Sequence, residues 1–124
     1  MRKSILFVDD DQDDIEIFSD ALRNLDPGVE ITVAENGVKA LDLLSRKQPG
    51  LIILDLNMPF LDGKQTFQKI KANPQWENVP IIIFTSSVNP ADKTMFDTLG
   101  TCFITKPHTV AGIDSVVAVM LDHC

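Results

Sequence analysis

The chain of 124 residues is 44% hydrophobic, which is enough for one ordinary hydrophobic core and too little for two. We therefore expect one domain that spans residues 1–124. The formal net charge of −7 argues against nucleic acid and anionic membranes as partners, because like charges repel. The apolar stretch near the amino terminus is too short for a signal peptide or a membrane span, so we expect a cytoplasmic protein.

Five short segments have the length and the Ile, Val and Phe content of β-strands. They are Ser4–Val8, Glu30–Ala34, Leu51–Leu54, Ile81–Thr85 and Cys102–Thr105. The segments between and after them show the apolar spacing of amphipathic helices. Strand and helix therefore alternate five times, which predicts an α/β fold with a parallel sheet and helices on both faces.

The helices are marked by their apolar stripes and by their end residues. The stripe of the first helix includes Leu25, and that of the fourth includes Leu99. The limits lie at Pro27-Gly28, Asn36-Gly37, Asn73-Pro74 and Asn89-Pro90, and the last helix covers most of Val110–Leu121.

The order of the strands follows in part from their hydrophobic patterns. Residues 5–8, 51–54 and 81–84 are continuous apolar runs, as expected of strands buried on both faces. Residues 30–33 alternate and the last apolar run, Cys102-Phe103-Ile104, is the shortest, so the second and fifth strands are expected at the edges. Right-handed crossovers then favour the doubly wound order 2-1-3-4-5, with a ligand crevice between the first and third strands.

Acidic residues follow two strands that this order makes neighbours. Asp9, Asp10 and Asp11 follow the first strand, and Asp55 follows the third. Carboxylates that converge on one point repel one another, and a divalent cation is the simplest compensation. Oxygen donors with no His or Cys nearby in sequence suit Mg2+, with Mn2+ as the alternative.

A simpler interpretation is that the acidic residues only favour the positive end of the first helix dipole. This interpretation explains Asp13 and Asp14 well. It does not explain an aspartate placed directly after each of two buried strands.

Two further strand ends carry polar groups. Thr85 and Ser86 close the fourth strand, and Lys106 follows the fifth. A hydroxyl can donate a hydrogen bond to a phosphoryl oxygen, and an ammonium can neutralise its charge. An aspartate nucleophile, a metal ion, a hydroxyl and a lysine at one edge of the sheet predict a phosphoryl-transfer site.

With these residues in place, the chain resembles the receiver domains of two-component response regulators over essentially its whole length. The matching stretches are Ile5-Leu6-Phe7-Val8-Asp9-Asp10-Asp11, Leu54-Asp55-Leu56-Asn57-Met58-Pro59, Leu61-Asp62-Gly63, residues 80–86 and Phe103-Ile104-Thr105-Lys106-Pro107. The family has a flavodoxin-like topology with the strand order 2-1-3-4-5. The resemblance implies a stand-alone response regulator similar to the small chemotaxis regulator.

The resemblance also implies roles for individual residues. Asp55 is the phosphoacceptor and takes its phosphoryl group from a histidine kinase or a histidine phosphotransfer protein. Asp10, Asp55 and the backbone carbonyl of Asn57 bind Mg2+ directly, while Asp9 holds it mainly through water. The protein assists its own phosphorylation and dephosphorylation and is not otherwise an enzyme.

Lys106 and the Thr85 hydroxyl contact the phosphoryl group by the same resemblance. Thr85 moves toward that group, and Phe103 turns inward into the space vacated. This switch changes the face of the fourth helix, fifth strand and fifth helix, where a downstream protein target docks. The resemblance further implies a cis peptide bond between Lys106 and Pro107.

Two residues beside the path of attacking water are expected to tune the lifetime of the phosphoryl group. They are Asn57 and Ser87, which lie two residues after Asp55 and Thr85. Neither is bulky or charged, so we expect neither strong shielding nor unusually fast hydrolysis.

Three other functions fit parts of the pattern. A haloacid-dehalogenase-like phosphatase needs a second carboxylate where this chain has Asn57. A flavodoxin-like electron carrier shares the topology, but the acidic loop after the first strand would repel a flavin phosphate. The main alternative is a receiver-like module that binds partners without phosphorylation, although the aspartates, Thr85 and Lys106 are intact.

The two cysteines, Cys102 and Cys124, are too far apart for a CxxC motif. Two cysteines also cannot form the disulfide framework of a small secreted domain. We expect both to be free thiols.

Overall fold

The computed structural model describes residues 3–58, 60–86 and 89–122, in which five β-strands alternate with five α-helices. The strands are β1 (Ser4–Val8), β2 (Glu30–Ala34), β3 (Leu51–Leu54), β4 (Ile81–Thr85) and β5 (Cys102–Thr105). The helices are α1 (Gln12–Leu25), α2 (Gly37–Arg46), α3 (Gly63–Ala72), α4 (Pro90–Thr98) and α5 (Val110–Leu121). None of the helices in these described ranges is long and apolar enough to cross a membrane.

The strands form one parallel sheet in the order β2-β1-β3-β4-β5. Every residue of β3 and β4 is buried, whereas β2 and β5 at the edges consist mostly of half-buried residues. The difference follows from position, because a central strand has neighbours on both sides and helices over both faces. The predicted fold class and strand order are confirmed.

Alternate residues of a central strand enter two hydrophobic cores on opposite faces of the sheet. In β3, Ile52 and Leu54 pack in the core beneath α2, α3 and α4, while Leu51 and Ile53 pack in the core beneath α1 and α5. Successive side chains of a strand point to opposite faces, so a strand covered on both faces is apolar throughout. The helices therefore lie on both faces, as predicted.

Two apolar residues that were predicted to lie in buried helix stripes are exposed. Leu25 is 53% exposed and Leu99 is 58% exposed. Leu25 is the last residue of α1, and Leu99 is the C-cap that follows α4, so neither has a full helical turn beyond it to hold it over the sheet.

The face of α4 that is buried carries Phe96 and Asp92, and the Asp92 carboxylate pairs with Lys64 of α3.

Two local expectations are corrected. Cys102 is in a disulfide bond rather than a free thiol, and it is only half-buried because β5 is an edge strand. Cys124 lies outside the described residues. The peptide bond between Lys106 and Pro107 is trans, since the described residues contain no cis peptide bond. Trans is the intrinsically preferred form of a bond before proline.

Candidate functional site

Asp9 and Asp55 lie side by side at the carboxyl ends of two neighbouring strands. Val8 pairs with Leu54 in the ladder between β1 and β3, and the Asp55 N–H donates to the Val8 carbonyl oxygen at 3.0 Å. Each strand is followed directly by an aspartate, and both aspartates are buried, with 0% and 5% of their surface exposed. The parallel register thus brings two carboxylates to one point at the sheet edge.

Asp10 completes a group of three carboxylates that fits a metal ion. One carboxylate oxygen from each of Asp9, Asp10 and Asp55 lies within 4.8 Å of the others. Asp10 is exposed and the other two are buried, so the group opens to solvent on the Asp10 side. An all-oxygen donor set suits a hard divalent cation such as Mg2+ or Mn2+, which retains water ligands.

Lys106 adds a cation to the same group. Its backbone N–H donates to the Thr85 carbonyl oxygen at 2.9 Å, where β4 and β5 end together. Its ammonium donates to Oδ2 of Asp9 and to Oδ2 of Asp14, both at 2.8 Å, and lies 3.5 Å from Oδ2 of Asp55. The side chain is only 7% exposed, so these contacts take the place of water around the ammonium.

Asp9 and Lys106 both have shifted pKa values. Burial raises the pKa of Asp9 to about 6, against the opposing effects of Lys106 and the Asp11 N–H. Burial alone would lower the pKa of Lys106, but hydrogen bonds to Asp14 and Asp9 and the charge of Asp55 raise it above its usual value. Lys106 is therefore charged at neutral pH, and its partner Asp9 titrates much closer to neutrality than an ordinary aspartate.

The other residues predicted for the site lie at different depths around it. Thr85 is fully buried at the end of β4. Asn57 is exposed, and its N–H donates to Oδ1 of Asp55 over a long 3.4 Å. Phe103 is half-buried in β5 and packs against the core on the α4 side. Ser87 lies outside the described residues, and the roles assigned to all four stay predictions.

The roles of two residues in this arrangement were not recognised from the sequence. Asp14 contacts the Lys106 ammonium, whereas the sequence indicated only an interaction with the helix dipole. Gly63 begins α3 against the backbone of Asp55, where a β-carbon would overlap the Asp55 carbonyl oxygen. The sequence signal for Gly63 is its place after Asp62, the N-cap of α3. Asp14 carries no comparable signal.

The chain belongs to the family of response regulator receiver domains. The model of that family matches residues 5–118, a range that contains the three carboxylates, Lys106 and almost the whole sheet. The resemblance inferred from the sequence motifs is therefore confirmed.

Three relatives match most of this chain. Response regulator Rcp1 of Synechocystis sp. is 28% identical over 123 residues, covering 93% of this chain and 84% of Rcp1. The polar-differentiation response regulator DivK of Brucella anthropi is 28% identical over 111 residues, covering 89% of each protein. A probable cyclic di-GMP phosphodiesterase of Vibrio cholerae is 33% identical over 115 residues, which are 92% of this chain but only 25% of that protein's length.

Solved structures share the fold over nearly the whole chain. The phosphorylated cyanobacterial phytochrome response regulator RcpA has a TM-score of 0.90 at 28% identity, over 98% of this chain and 93% of RcpA. The Mn2+-bound form of Rcp1 has a TM-score of 0.85 at 28% identity, over 94% of this chain and 91% of Rcp1. At 22% identity and a TM-score of 0.83, the chemotaxis protein CheY4 of Vibrio cholerae, compared over the full length of both chains, supports the fold alone.

Proposed function

We propose that residues 1–124 form a single receiver domain that accepts a phosphoryl group on Asp55 from a histidine kinase or a histidine phosphotransfer protein. One observation carries this proposal. Oδ2 of the buried Asp55 lies 3.5 Å from the Lys106 ammonium, while the same carboxylate belongs to an acidic group that fits a divalent cation. A nucleophile placed between a cation site and a fixed ammonium suits the transfer of a highly charged group.

Asp55 is the nucleophile in this proposal. One of its carboxylate oxygens attacks the phosphorus of a phosphohistidine, so an O–P bond forms while the N–P bond breaks and its electron pair leaves with the imidazole. The product on this chain is an aspartyl phosphate. Lys106 neutralises charge on the transferred group, and the buried hydroxyl of Thr85 donates a hydrogen bond to it.

Asp9, Asp10 and Asp55 would hold Mg2+, or alternatively Mn2+, together with the backbone carbonyl of Asn57, with Asp9 acting mainly through water. When bound, the cation supplies charge stabilisation for the phosphoryl oxygens. The all-oxygen donor set supports this assignment. The relative Rcp1, which has been solved in a Mn2+-bound form, supports it independently.

The lifetime of the aspartyl phosphate depends on how easily water reaches Asp55. Asn57 is exposed beside it, and Ser87 is the second residue predicted to lie along the path of water. Both side chains are small and uncharged, so we expect hydrolysis that is neither strongly shielded nor unusually fast.

A phosphoryl group on Asp55 would be read out at the face of α4, β5 and α5. Thr85 moves toward the phosphoryl group and Phe103 turns inward, which changes this face for a downstream protein target. Exposed apolar side chains lie in or directly after these helices, since Met95, Leu99 and Val110 are 37%, 58% and 78% exposed, and they offer apolar surface for such a partner to cover. In this proposal the protein is a cytoplasmic switch and not an enzyme with a separate substrate.

The test is incubation with acetyl phosphate and Mg2+, followed by intact mass spectrometry. Wild type should gain one phosphoryl group, and the gain should disappear in Asp55→Asn and in wild type treated with EDTA. Asp42→Asn, which removes an exposed carboxylate of α2 that does not belong to the group of three carboxylates, should still gain the group. A wild-type protein that gains nothing would instead favour a module that binds partners without phosphorylation.

A further inference from the structure

We infer that Asp14 is a positioning residue that holds the Lys106 ammonium away from Asp55. The inference rests on the proposed function, because an ammonium held away from Asp55 leaves the Asp55 carboxylate available to bind a metal ion and to attack phosphorus. Asp14 itself lies outside the group of three carboxylates that fits a metal ion. Asp14 can therefore keep its contact with Lys106 whether or not a metal ion is bound to that group.

The three contacts of the Lys106 ammonium are unequal. A lysine ammonium has three N–H donors, and in this protein they face Asp9, Asp14 and Asp55. The first two distances are 2.8 Å, within the range of about 2.7–3.2 Å for a well-formed hydrogen bond, but the third is 3.5 Å and lies outside it. Two short bonds thus fix the ammonium between Asp9 and Asp14, at a distance from the phosphoacceptor.

The position of Asp14 is set by the start of α1 rather than by Lys106. Asp11 is the N-cap of this helix, and its side chain accepts hydrogen bonds from the N–H groups of Asp13 and Asp14 at 3.0 and 3.2 Å. The cap fixes the first helical turn and with it the backbone of Asp14. The Asp14 side chain, 28% exposed, then reaches inward to the ammonium.

Removal of the Asp14 charge would redirect the ammonium. Lys106 would then be shared between Asp9 and Asp55, both of which belong to the group that fits a metal ion. The ammonium and a divalent cation would compete for the same oxygens, so metal affinity would fall. The importance of Asp14 is also visible in the pKa of Lys106, which burial lowers and which the hydrogen bond to Asp14 raises more than any other contact.

Asp13 offers a matched control. It carries the same charge in the same helical turn and is exposed. Among the described residues, the carboxylates that contact the Lys106 ammonium are those of Asp9, Asp14 and Asp55, and Asp13 is not one of them. Asp13→Asn therefore removes one negative charge near the site without touching Lys106.

The experiment compares wild type, Asp13→Asn and Asp14→Asn by two measurements. The first is NMR of the lysine ammonium groups in EDTA, where the Lys106 signal is assigned by its loss in Lys106→Met. The two short hydrogen bonds to Asp9 and Asp14, together with burial, should slow proton exchange enough to make this signal visible in wild type and Asp13→Asn. The signal should broaden or vanish in Asp14→Asn. Asparagine has the shape of aspartate, so the fold should be kept, which circular dichroism checks.

The second measurement is Mg2+ affinity by calorimetry. Asp14→Asn should bind Mg2+ about fivefold more weakly than Asp13→Asn, a smaller loss than is typical of direct outer-shell partners because Asp14 is partly exposed. Equal ammonium signals and equal affinities in the two variants would overturn the positioning role. A wild type that neither binds Mg2+ nor gains a phosphoryl group would overturn the proposed function instead, and the ammonium signal in EDTA distinguishes the two failures.

Discussion

Gly63 lies so close to Asp55 that a β-carbon at residue 63 would overlap the Asp55 carbonyl oxygen and the Cα atom of Leu56. The Gly63 N–H also donates to the Leu56 carbonyl oxygen at 3.1 Å, which ties the start of α3 to the loop that presents Asp55. Gly63→Ala would push these two segments apart. We expect the free energy of unfolding to fall by about 3 kcal/mol and phosphorylation by acetyl phosphate to slow.

Urea denaturation and the rate of mass gain measure the two effects. Gly28→Ala is the matched control, because a β-carbon there would meet its nearest neighbour, Oδ1 of Asp26, at an ordinary 3.6 Å. The control should change the free energy of unfolding by less than about 1 kcal/mol. A Gly63→Ala protein as stable and as reactive as Gly28→Ala would show that this close approach does not constrain the site.

Lys106→Met should destabilise the metal-free protein. The substitution leaves the buried carboxylates of Asp9 and Asp55, and the half-buried one of Asp14, without their shared cation. We expect the free energy of unfolding in EDTA to fall by about 3 kcal/mol, the usual cost of breaking a buried ion pair. Mg2+ should recover part of this loss, because a cation that binds only the folded state stabilises it, and does so more when the cation binds more tightly.

The measurement is urea denaturation in EDTA and again with Mg2+. Lys93→Met is the control, since Lys93 pairs with Asp97 on the exposed face of α4 and such pairs contribute at most about 1 kcal/mol. The interpretation fails if Lys106→Met is as stable as wild type in EDTA, or if Mg2+ stabilises both proteins equally.

The raised pKa of Asp9 predicts a pH-dependent cost of burying its charge. The pKa is about 6 in the folded protein and 3.8 in an ordinary aspartate, so between these values the folded state holds a proton that the unfolded state has lost. The contribution of Asp9 to stability therefore falls as pH rises from about 4 to 6 and stays low above that range. The shift corresponds to a loss on the order of 3 kcal/mol.

Asp9→Asn tests this prediction, because the amide resembles the protonated acid. In EDTA the variant should have nearly the stability of wild type at pH 4 and exceed it by up to about 3 kcal/mol at pH 7. Urea denaturation across this range gives the difference at each pH. Asp114→Asn, on the exposed side of α5, should show a difference that hardly varies. A difference for Asp9→Asn that is constant from pH 4 to pH 7 would contradict burial as the cause of a raised pKa.

Ser19→Ala should stabilise the protein. Ser19 lies on the buried side of α1, 3% exposed, and its hydroxyl has no hydrogen-bond partner among the described residues. The substitution removes an unsatisfied buried hydroxyl, and alanine has a higher helix propensity than serine. It should therefore raise the free energy of unfolding by about 1 kcal/mol. Ser115→Ala is the control, because that exposed hydroxyl donates to the Ala111 carbonyl oxygen. A destabilised Ser19→Ala would indicate that the hydroxyl is satisfied in solution.

Much of this architecture could be predicted because it depends on local rules. The limits of the strands follow from apolar runs. The edge positions of β2 and β5 follow from the alternation in β2 and from the short apolar run in β5. The meeting of Asp9 and Asp55 follows from the register of parallel strands, since both residues come directly after a strand end. No distances are needed for that conclusion.

The features that could not be predicted depend on how whole elements pack. Asp14 reaches Lys106 because the packing of α1 brings its first turn beside the residue that follows β5, and the sequence of the first turn does not encode that packing. Gly63 depends in the same way on how closely α3 approaches the loop after β3. Leu25 and Leu99 were wrongly predicted to be buried, because apolar periodicity does not show which turn of a helix is the last to pack on the sheet.

The ladder between β1 and β3 also limits where this protein can tolerate deletions and insertions of residues. Side chains alternate along a strand, so the loss of one residue inside β3 would turn the carboxylate of Asp55 to the other side of the sheet and away from Asp9. Residues 47–50, which enter β3 from the opposite end, face no such restriction. Insertions and fusions should therefore be tolerated at the amino ends of the strands and destructive at the carboxyl ends.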